Sequence, residues 1–563
     1  MPPAVPWPPL SSLIPTLDVA GEDQTPHVDW LEASYTDPDT FWANLAKLAA
    51  TASPPPRSRA GVTCDLYDDA IGRHAASGLV AMVWHDPRQG WLSLSFAELH
   101  ARAGALAGAW LLQGAKPGAV VAIVLPLGLD YLLALAAALR LGMCVSALAP
   151  EGGEGYLGPR LLALEPDHLV FDERFPPPVG AFAKLALRSA TNRPAPLAPP
   201  YVYGPKEICA RLFSPLRAPL DEPVDLPAEV AYQNALRDGL VALRLAPKSR
   251  LAAPGFHREQ HHPALLFTSL LAGATFVHVP LEDLRADATL LAAQKIDTLG
   301  ITPEVRDLCL AHPGQLGAVT SWFKSVDEPL DWIAWRELAV KSFADPVRST
   351  NVLVDAAAGG CVLFSSRRPR QSIHARALPS AGRAWTLADP AGAPPGPDPS
   401  SGVFVAAPAK EGWFLLARTG SEYLWGGALA PRRAGRVFPA REVCALVAGL
   451  PSVVGACVVP MPAAAPGPRW LFVLLVFTGA AAIDGVAASV SAAIAASFGP
   501  DFTPDAVEVM PLFPRYQGKA VDDAWCRGQY LSGRLGRKAY DPALAPAFAK
   551  LTALRGMLAK GPP

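Results

Sequence analysis

The sequence predicts an α/β protein: a large N-terminal domain of two similar αβ halves with a small β segment, followed by a small, hinged C-terminal α+β domain. Three observations predict it. Apolar helices alternate with short β-rich runs at the spacing of strand–helix–strand units, which argues a parallel sheet. The unit recurs: "LAAALRLGMCVSALAP" (135–150) and "FTSLLAGATFVHVP" (267–280) are each an apolar helix, a glycine stop and a β-rich strand. After "ADPAGAPPGPDPSSG" (388–402) the character of the chain changes. The chain has 563 residues, too many for one compact core, so more than one domain is expected.

The elements follow in order. Residues 1–60 are a Pro-rich N-terminal extension with one helical patch, "DPDTFWANLAKLAA". In "SFAELHARAGALAGAWLLQGA", Ser95 and Glu98 form a capping-box signature, and the helix ends near Gly114. "AVVAIVLP" reads as a buried strand, "YLLALAAALRLG" as a buried helix and "MCVSALAP" as another strand. Residues 174–230 are rich in Pro, Ala and Arg and read as loops. The pattern resumes with strand "RLAAPG", helix "HPALLFTSLLAG", strand "ATFVHVP", helix "DATLLAAQK" and strand "IDTLGIT". A short β segment, "GVFVAAP", closes the large domain, assigned to 61–425. The small domain, 426–535, holds helix "AREVCALVAGL", strands "VVGACVVP" and "WLFVLLVF", helix "DGVAASVSAAIAASFG" and strand "AVEVMP". Its hinge is expected at Gly426–Gly427, and 536–563 reads as a helical tail.

Composition excludes several classes. Lys plus Arg number 49 against 50 Asp plus Glu, with no basic run, so nucleic acid is not an expected partner. The eight cysteines form no CxxC pair, which argues against a zinc ribbon or a disulfide framework. The longest apolar run, "WLFVLLVFTGAAAI", is about 14 residues, short of the roughly 20 that span a bilayer. The N-terminus has no basic residue and no apolar core, unlike a signal peptide. A cytoplasmic protein with no membrane span is expected.

Four motifs carry possible chemistry. "GGEGYLG" contains GxGxxG at Gly153, Gly155 and Gly158, with Asp172 downstream. Pro159 follows at once and a strand and helix already precede it, so it reads as a surface loop. "FHREQHH" carries His257, His261 and His262; on a helix the first two share a face with Glu259 nearby, but no third metal ligand stands at a recognisable spacing. These histidines read as lining a cleft at a helix start, with no metal. "MPLFPRYQGK" sets Lys519 in a Pro/Gly-punctuated turn, where a lone lysine is usually solvated. "VDAAAGG" ends in Gly359 and Gly360, further candidates for the cleft.

The order of segments resembles the acyl- and acetyl-CoA synthetases of the adenylate-forming superfamily. The likeness covers about 40–535 and rests on "DPDTFWANLAKLAA", "SFAELHARAGALAGAWLLQGAKPGAVVAIVLP", "LLAGATFVHV", "PSAGRAW", "RAGRVFPAREV" and "MPLFPRYQGK". It implies adenylation of a carboxylate by ATP and Mg, then thioester formation with CoA, with Lys519 at the catalytic-lysine position. Such chemistry needs a donor-rich phosphate loop, a metal-holding carboxylate and a cation at the transferred group.

The sequence departs at nearly every such position. Where the resemblance places the phosphate loop, the chain reads "DEPVDLPAEVAYQNA", with no glycine, serine, threonine or lysine and with Asp221, Glu222 and Asp225. The family's Thr-Glu pair falls on Ala356 and Ala357. No Gly-Asp stands between "VFVAAPAK" and "EGWFLLARTG", and "WGGALAP" holds no acid. The expected function is a catalytically degenerate synthetase-like protein, a non-catalytic binder or scaffold for an acyl- or CoA-type ligand or a protein partner, with no cofactor. The alternative is an active AMP-forming acid–CoA ligase using ATP, Mg and CoA through an unconventional ATP site, with Lys519 catalytic. A metal-dependent hydrolase at the three histidines is a third class.

Overall fold

The computed structural model describes residues 27–52, 54–152, 154–172, 182–187, 199–216, 222–312, 316–327, 332–343, 347–367, 376–388, 401–406, 413–419, 422–428, 431–433, 436–462, 470–479, 485–517, 520–531 and 535. The chain forms two compact units. The first is built mainly from Met1–Ala149 and Ala181–Leu429, the second from Ala430–Pro563 together with Pro150–Leu162.

The first unit contains two large sheets. In the six-stranded sheet the order is Ala183–Lys184, His168–Phe171, Val120–Val124, Cys144–Leu148, Ile208–Leu212, Val224–Pro227. Its first five strands are parallel and the last is antiparallel. The Leu129–Arg140 helix crosses between two of them and is buried from Tyr131 to Arg140, as its all-round apolar sequence requires. The Phe96–Leu112 helix begins with the full capping box, Ser95 and Glu98 each accepting from the other's backbone. The second half repeats the unit. Val80–Asp86, Thr275–His278, Arg250–Ala252, Thr298–Gly300, Ser321–Ser325 and Arg348–Asp355 lie side by side, all parallel. Beyond Arg348–Asp355 the same sheet continues antiparallel through Gly360–Arg367, Arg376–Pro379, Glu422–Ala428, Phe414–Thr419, Ser401–Ala406 and Trp385–Ala388. Gly426 and Gly427 fall inside the Glu422–Ala428 strand, with Gly427 opposite Leu415.

Two expectations are corrected. The 174–230 stretch is not loop throughout: Ile208–Leu212 and Val224–Pro227 pair and complete the six-stranded sheet. The "GGEGYLG" motif is not a surface loop from Glu154 on, where Gly155 and Gly158 lie in the Glu154–Leu164 helix with Pro159 inside it; Gly153 lies outside the described residues. Tyr156 and Leu157 are buried, and that burial outweighs the loss of one helical hydrogen bond at proline.

Within the first unit, the helices His27–Thr36 and Pro38–Ala49 are part of the packed body. Phe41 and Leu45 are buried, the Tyr35 hydroxyl donates to the Pro379 carbonyl at 2.6 Å, and Trp42 Nε1 donates to the Gly382 carbonyl at 2.9 Å.

The second unit has a three-stranded sheet. Its central strand Trp470–Phe477 is buried from Leu471 onward, which suits its continuous apolar sequence. Gly455–Pro462 flanks it antiparallel and Ala506–Met510 parallel. Helices Ala440–Ala448 and Val486–Phe498 belong to the same unit. Tyr516–Gln517 pairs antiparallel with Ala520–Val521. Lys519 and the 536–563 tail lie outside the described residues.

Candidate functional site

The candidate residues of the first unit gather around one turn. Strands Arg348–Asp355 and Gly360–Arg367 are antiparallel neighbours, joined by a single 3-10 turn, Ala356–Ala358. Asp355 closes this turn: its carboxylate accepts from Ala357 N at 3.1 Å and from Ser214 Oγ at 2.6 Å. Ala356, Ala357 and Ala358 are all buried, so the turn offers methyl groups and backbone. Several peptide groups in and beside it are taken up by the surrounding protein. Ala356 N donates to the Gln260 carbonyl, Gln260 Nε2 donates to the Val354 carbonyl, and Asn234 Nδ2 and Arg383 donate to the Ala358 carbonyl.

One side of the turn rests on charge. Arg237 donates to Asp238 at 2.8 Å and to the carbonyls of Cys361 and Ala381, while Asp238 accepts from Cys361 N at 2.6 Å. Both side chains are buried. Burial raises the Asp238 carboxyl above the usual carboxylate range; the Arg237 guanidinium and the Cys361 amide oppose that shift. Gly360 approaches this pair so closely that a Cβ would lie 2.1 Å from Asp238 Oδ2, and its φ of +152° also favours glycine.

The other side is apolar. A cavity of about 70 Å³ is walled by the Leu129–Arg140 helix, the Cys144–Leu148, Ile208–Leu212 and Val224–Pro227 strands, and the start of the His262–Leu271 helix, with Ala356 and Gly359 at the turn. Tyr131 is part of the lining. The structure thus places Ala356 and Gly359 at a cavity, Gly360 on a buried ion pair, and Ala357 in the packed turn.

The segment expected to carry the phosphate loop is not a loop. Val224–Pro227 is a strand, and the Ala228–Arg237 helix follows at once, with Pro227 before it and no side-chain cap. Residues 213–216 follow Ile208–Leu212. They include Ser214, whose hydroxyl donates to Asp355 and accepts from Leu216 N.

The three histidines stand beside the turn on the strand-to-helix connection before His262–Leu271. His257 Nδ1 accepts from Gln260 N at 3.3 Å, and His261 Nδ1 accepts from His257 N at 2.9 Å. The His261 ring packs edge-on against Phe256. His262 Nε2 donates to the Ala253 carbonyl at 3.0 Å, and burial pushes its pKa down to about 4. Glu259 is directed to Ala149 N. Among the described residues no group of three or more His, Cys, Asp or Glu side chains is placed to hold a metal ion.

Sequence reasoning missed Asn234, Gln260, the Arg237–Asp238 pair and Tyr131. A charged pair inside the otherwise apolar "ALRDGLVAL" was the available signal for Arg237–Asp238. Nothing local marks the others.

Comparison with known proteins agrees with this architecture. The family model described as AMP-binding enzyme matches residues 72–196. Among solved structures, acetoacetyl-CoA synthetase from Streptomyces lividans is similar with a TM-score of 0.58 and 16% identity, covering 95% of each chain. IdnL1 gives 0.61 at 16% identity over 82% of this chain and all of its own. NpsA-ThdA from Klebsiella oxytoca, an artificially fused adenylation–PCP di-domain, gives 0.60 at 13% identity, covering 80% of this chain and 94% of its own. No curated protein sequence gives a significant match. The match to the AMP-binding enzyme model is confined to residues 72–196, and the likeness to the solved structures shows the fold of the chain.

Proposed function

We propose that the chain is a catalytically degenerate acyl-CoA-synthetase-like protein, a non-catalytic binder or scaffold for an acyl- or CoA-type ligand or a protein partner. The Ala356–Ala358 turn carries this reading. A magnesium nucleotide needs oxygen ligands for the metal and donors for the phosphates. The turn supplies three buried methyls, and the adjoining Asp355 is engaged by Ser214 and Ala357 N. The residues at this turn therefore do not fit MgATP. The apolar cavity at the same turn suits a hydrocarbon group. All eight cysteines are free thiols, which supports a cytoplasmic setting.

Calorimetry with MgATP and a pyrophosphate-release assay with a panel of carboxylic acids test the proposal. No heat of binding up to millimolar nucleotide and no pyrophosphate are expected. Clear binding, or release with any acid, overturns it in favour of an active AMP-forming ligase. The lysine at position 519, retained where the family resemblance implies a catalytic one, is what favours that second reading.

A further inference from the structure

The Glu154–Leu164 helix is poorly supported by its own sequence. Gly155, Gly158 and Pro159 lie within its 11 residues. Glycine is a weak helix former, and an interior proline removes a hydrogen bond and crowds the preceding turn. Part of its support comes from the second unit, to which residues 150–162 belong. The Tyr156 ring stacks on Phe502, with centroids 5.8 Å apart and 18° between the planes. Arg160 lies over the Tyr156 ring, its guanidinium carbon 3.6 Å from the centroid. Arg160 Nη1 donates to the Tyr156 carbonyl at 3.2 Å and stands 4.0 Å from Glu442 Oε1. Tyr156 and Phe502 are buried, whereas Leu162 near the helix end is 75% exposed.

We propose that Glu154–Leu162 is a strap that opens as a local unit, and that its opening uncovers Phe502 while the sheet of the second unit stays folded. The contrast within the unit carries this. The Trp470–Phe477 strand is buried from Leu471 onward and paired on both sides, by Gly455–Pro462 and Ala506–Met510. The strap has two glycines, a proline and one stacked ring. Segments with few such supports open at lower free energy than the core, in cooperative pieces. On either side the chain returns to strands Cys144–Leu148 and His168–Phe171, so an opened strap stays tethered at both ends and can reclose. The Phe502 ring is thereby offered to solvent only in the open state, which makes that apolar surface conditional.

Hydrogen exchange of the full chain, followed residue by residue, tests this. The reporters beside the strap are the amides of Phe502 and Thr503, which donate to the Gly499 and Pro500 carbonyls. They are expected to exchange together with the strap helix, at least about tenfold faster than Trp470–Phe477. Gly158→Ala strengthens the helix without a clash, since a Cβ there meets open space. It should slow the strap, Phe502 and Thr503 by about two- to fivefold and leave Trp470–Phe477 unchanged. Tyr156→Leu, which removes the stacked ring and keeps an apolar side chain, should speed Phe502 and Thr503 by about two- to tenfold. Exchange of the strap at the rate of Trp470–Phe477 overturns the proposal, because the helix then opens only with the whole unit. Slowing confined to the helix in Gly158→Ala, or unchanged Phe502 and Thr503 in Tyr156→Leu, overturns it as well, because the two openings are then not coupled.

Discussion

The two sides of the Ala356–Gly360 turn solve opposite problems. On one, Arg237 and Asp238 are buried together and bond to each other and to the backbone of Cys361 and Ala381. On the other, a methyl and a glycine face a cavity walled almost wholly by hydrocarbon. The contrast separates holding a turn in shape from leaving room beside it. The first task uses saturated polar contacts; the second uses their absence.

The largest expected effect breaks the charged side. Asp238→Ala leaves the Arg237 guanidinium buried and uncompensated, and should cost about 3–5 kcal/mol in a denaturation experiment. A cost near zero would mean that the pair does not hold the turn. Gly360→Ala attacks the same side by volume, forcing a Cβ onto Asp238 Oδ2. A loss of about 3 kcal/mol in urea denaturation is expected; a tolerated alanine would show that the close approach relaxes freely.

A third prediction concerns acid and the helix that walls the cavity. His262 stands at the start of that helix, buried, with its pKa near 4 instead of the ordinary 6.5. The unfolded chain therefore binds a proton below pH 6.5 that the folded chain does not accept until about pH 4. Its contribution is fully present above 6.5 and is lost as the pH falls, at about 1.4 kcal/mol per pH unit, or about 2 kcal/mol by pH 5. Urea denaturation of His262→Gln against the parent at pH 7 and pH 5 isolates this slope, since the amide keeps a donor for Ala253. Equal slopes would mean that His262 titrates normally.

The smallest effect is expected at Lys519. If no adenylate forms, Lys519→Ala should change stability by about 0.5 kcal/mol or less and leave ligand-induced thermal stabilisation unaltered. Loss of cellular function at an unchanged melting temperature would restore it as a catalytic residue.

Much of the frame was legible because it is written locally. The Ser95–Glu98 capping box and the apolar Leu129–Arg140 helix each need only neighbours in sequence. The alanines at 356 and 357 were legible too, since what they lack is visible without a structure. The failures share one cause, non-local pairing. Ile208–Leu212 and Val224–Pro227 are short strands hidden in Pro-rich sequence and exist because they pair with each other and the sheet. The Glu154–Leu164 helix has two glycines and a proline near its start, and tertiary burial of Tyr156 and Leu157 overrides their propensity. Tyr131 reads as one more apolar-helix residue; that its hydroxyl lacks a partner depends on elements far away in sequence.

The anchoring of Trp42 to Gly382 has a consequence for synthesis. The two residues are 340 positions apart, and the buried faces of Phe41 and Leu45 belong to the same helix. At about 5–20 residues per second, a ribosome needs roughly 20–70 s to bring position 382 within reach after position 42 has emerged. Throughout that interval the Pro38–Ala49 helix can stack Phe41 on Trp30 but lacks the Gly382 carbonyl that holds Trp42. The start of this protein must therefore wait for its middle before that anchor closes.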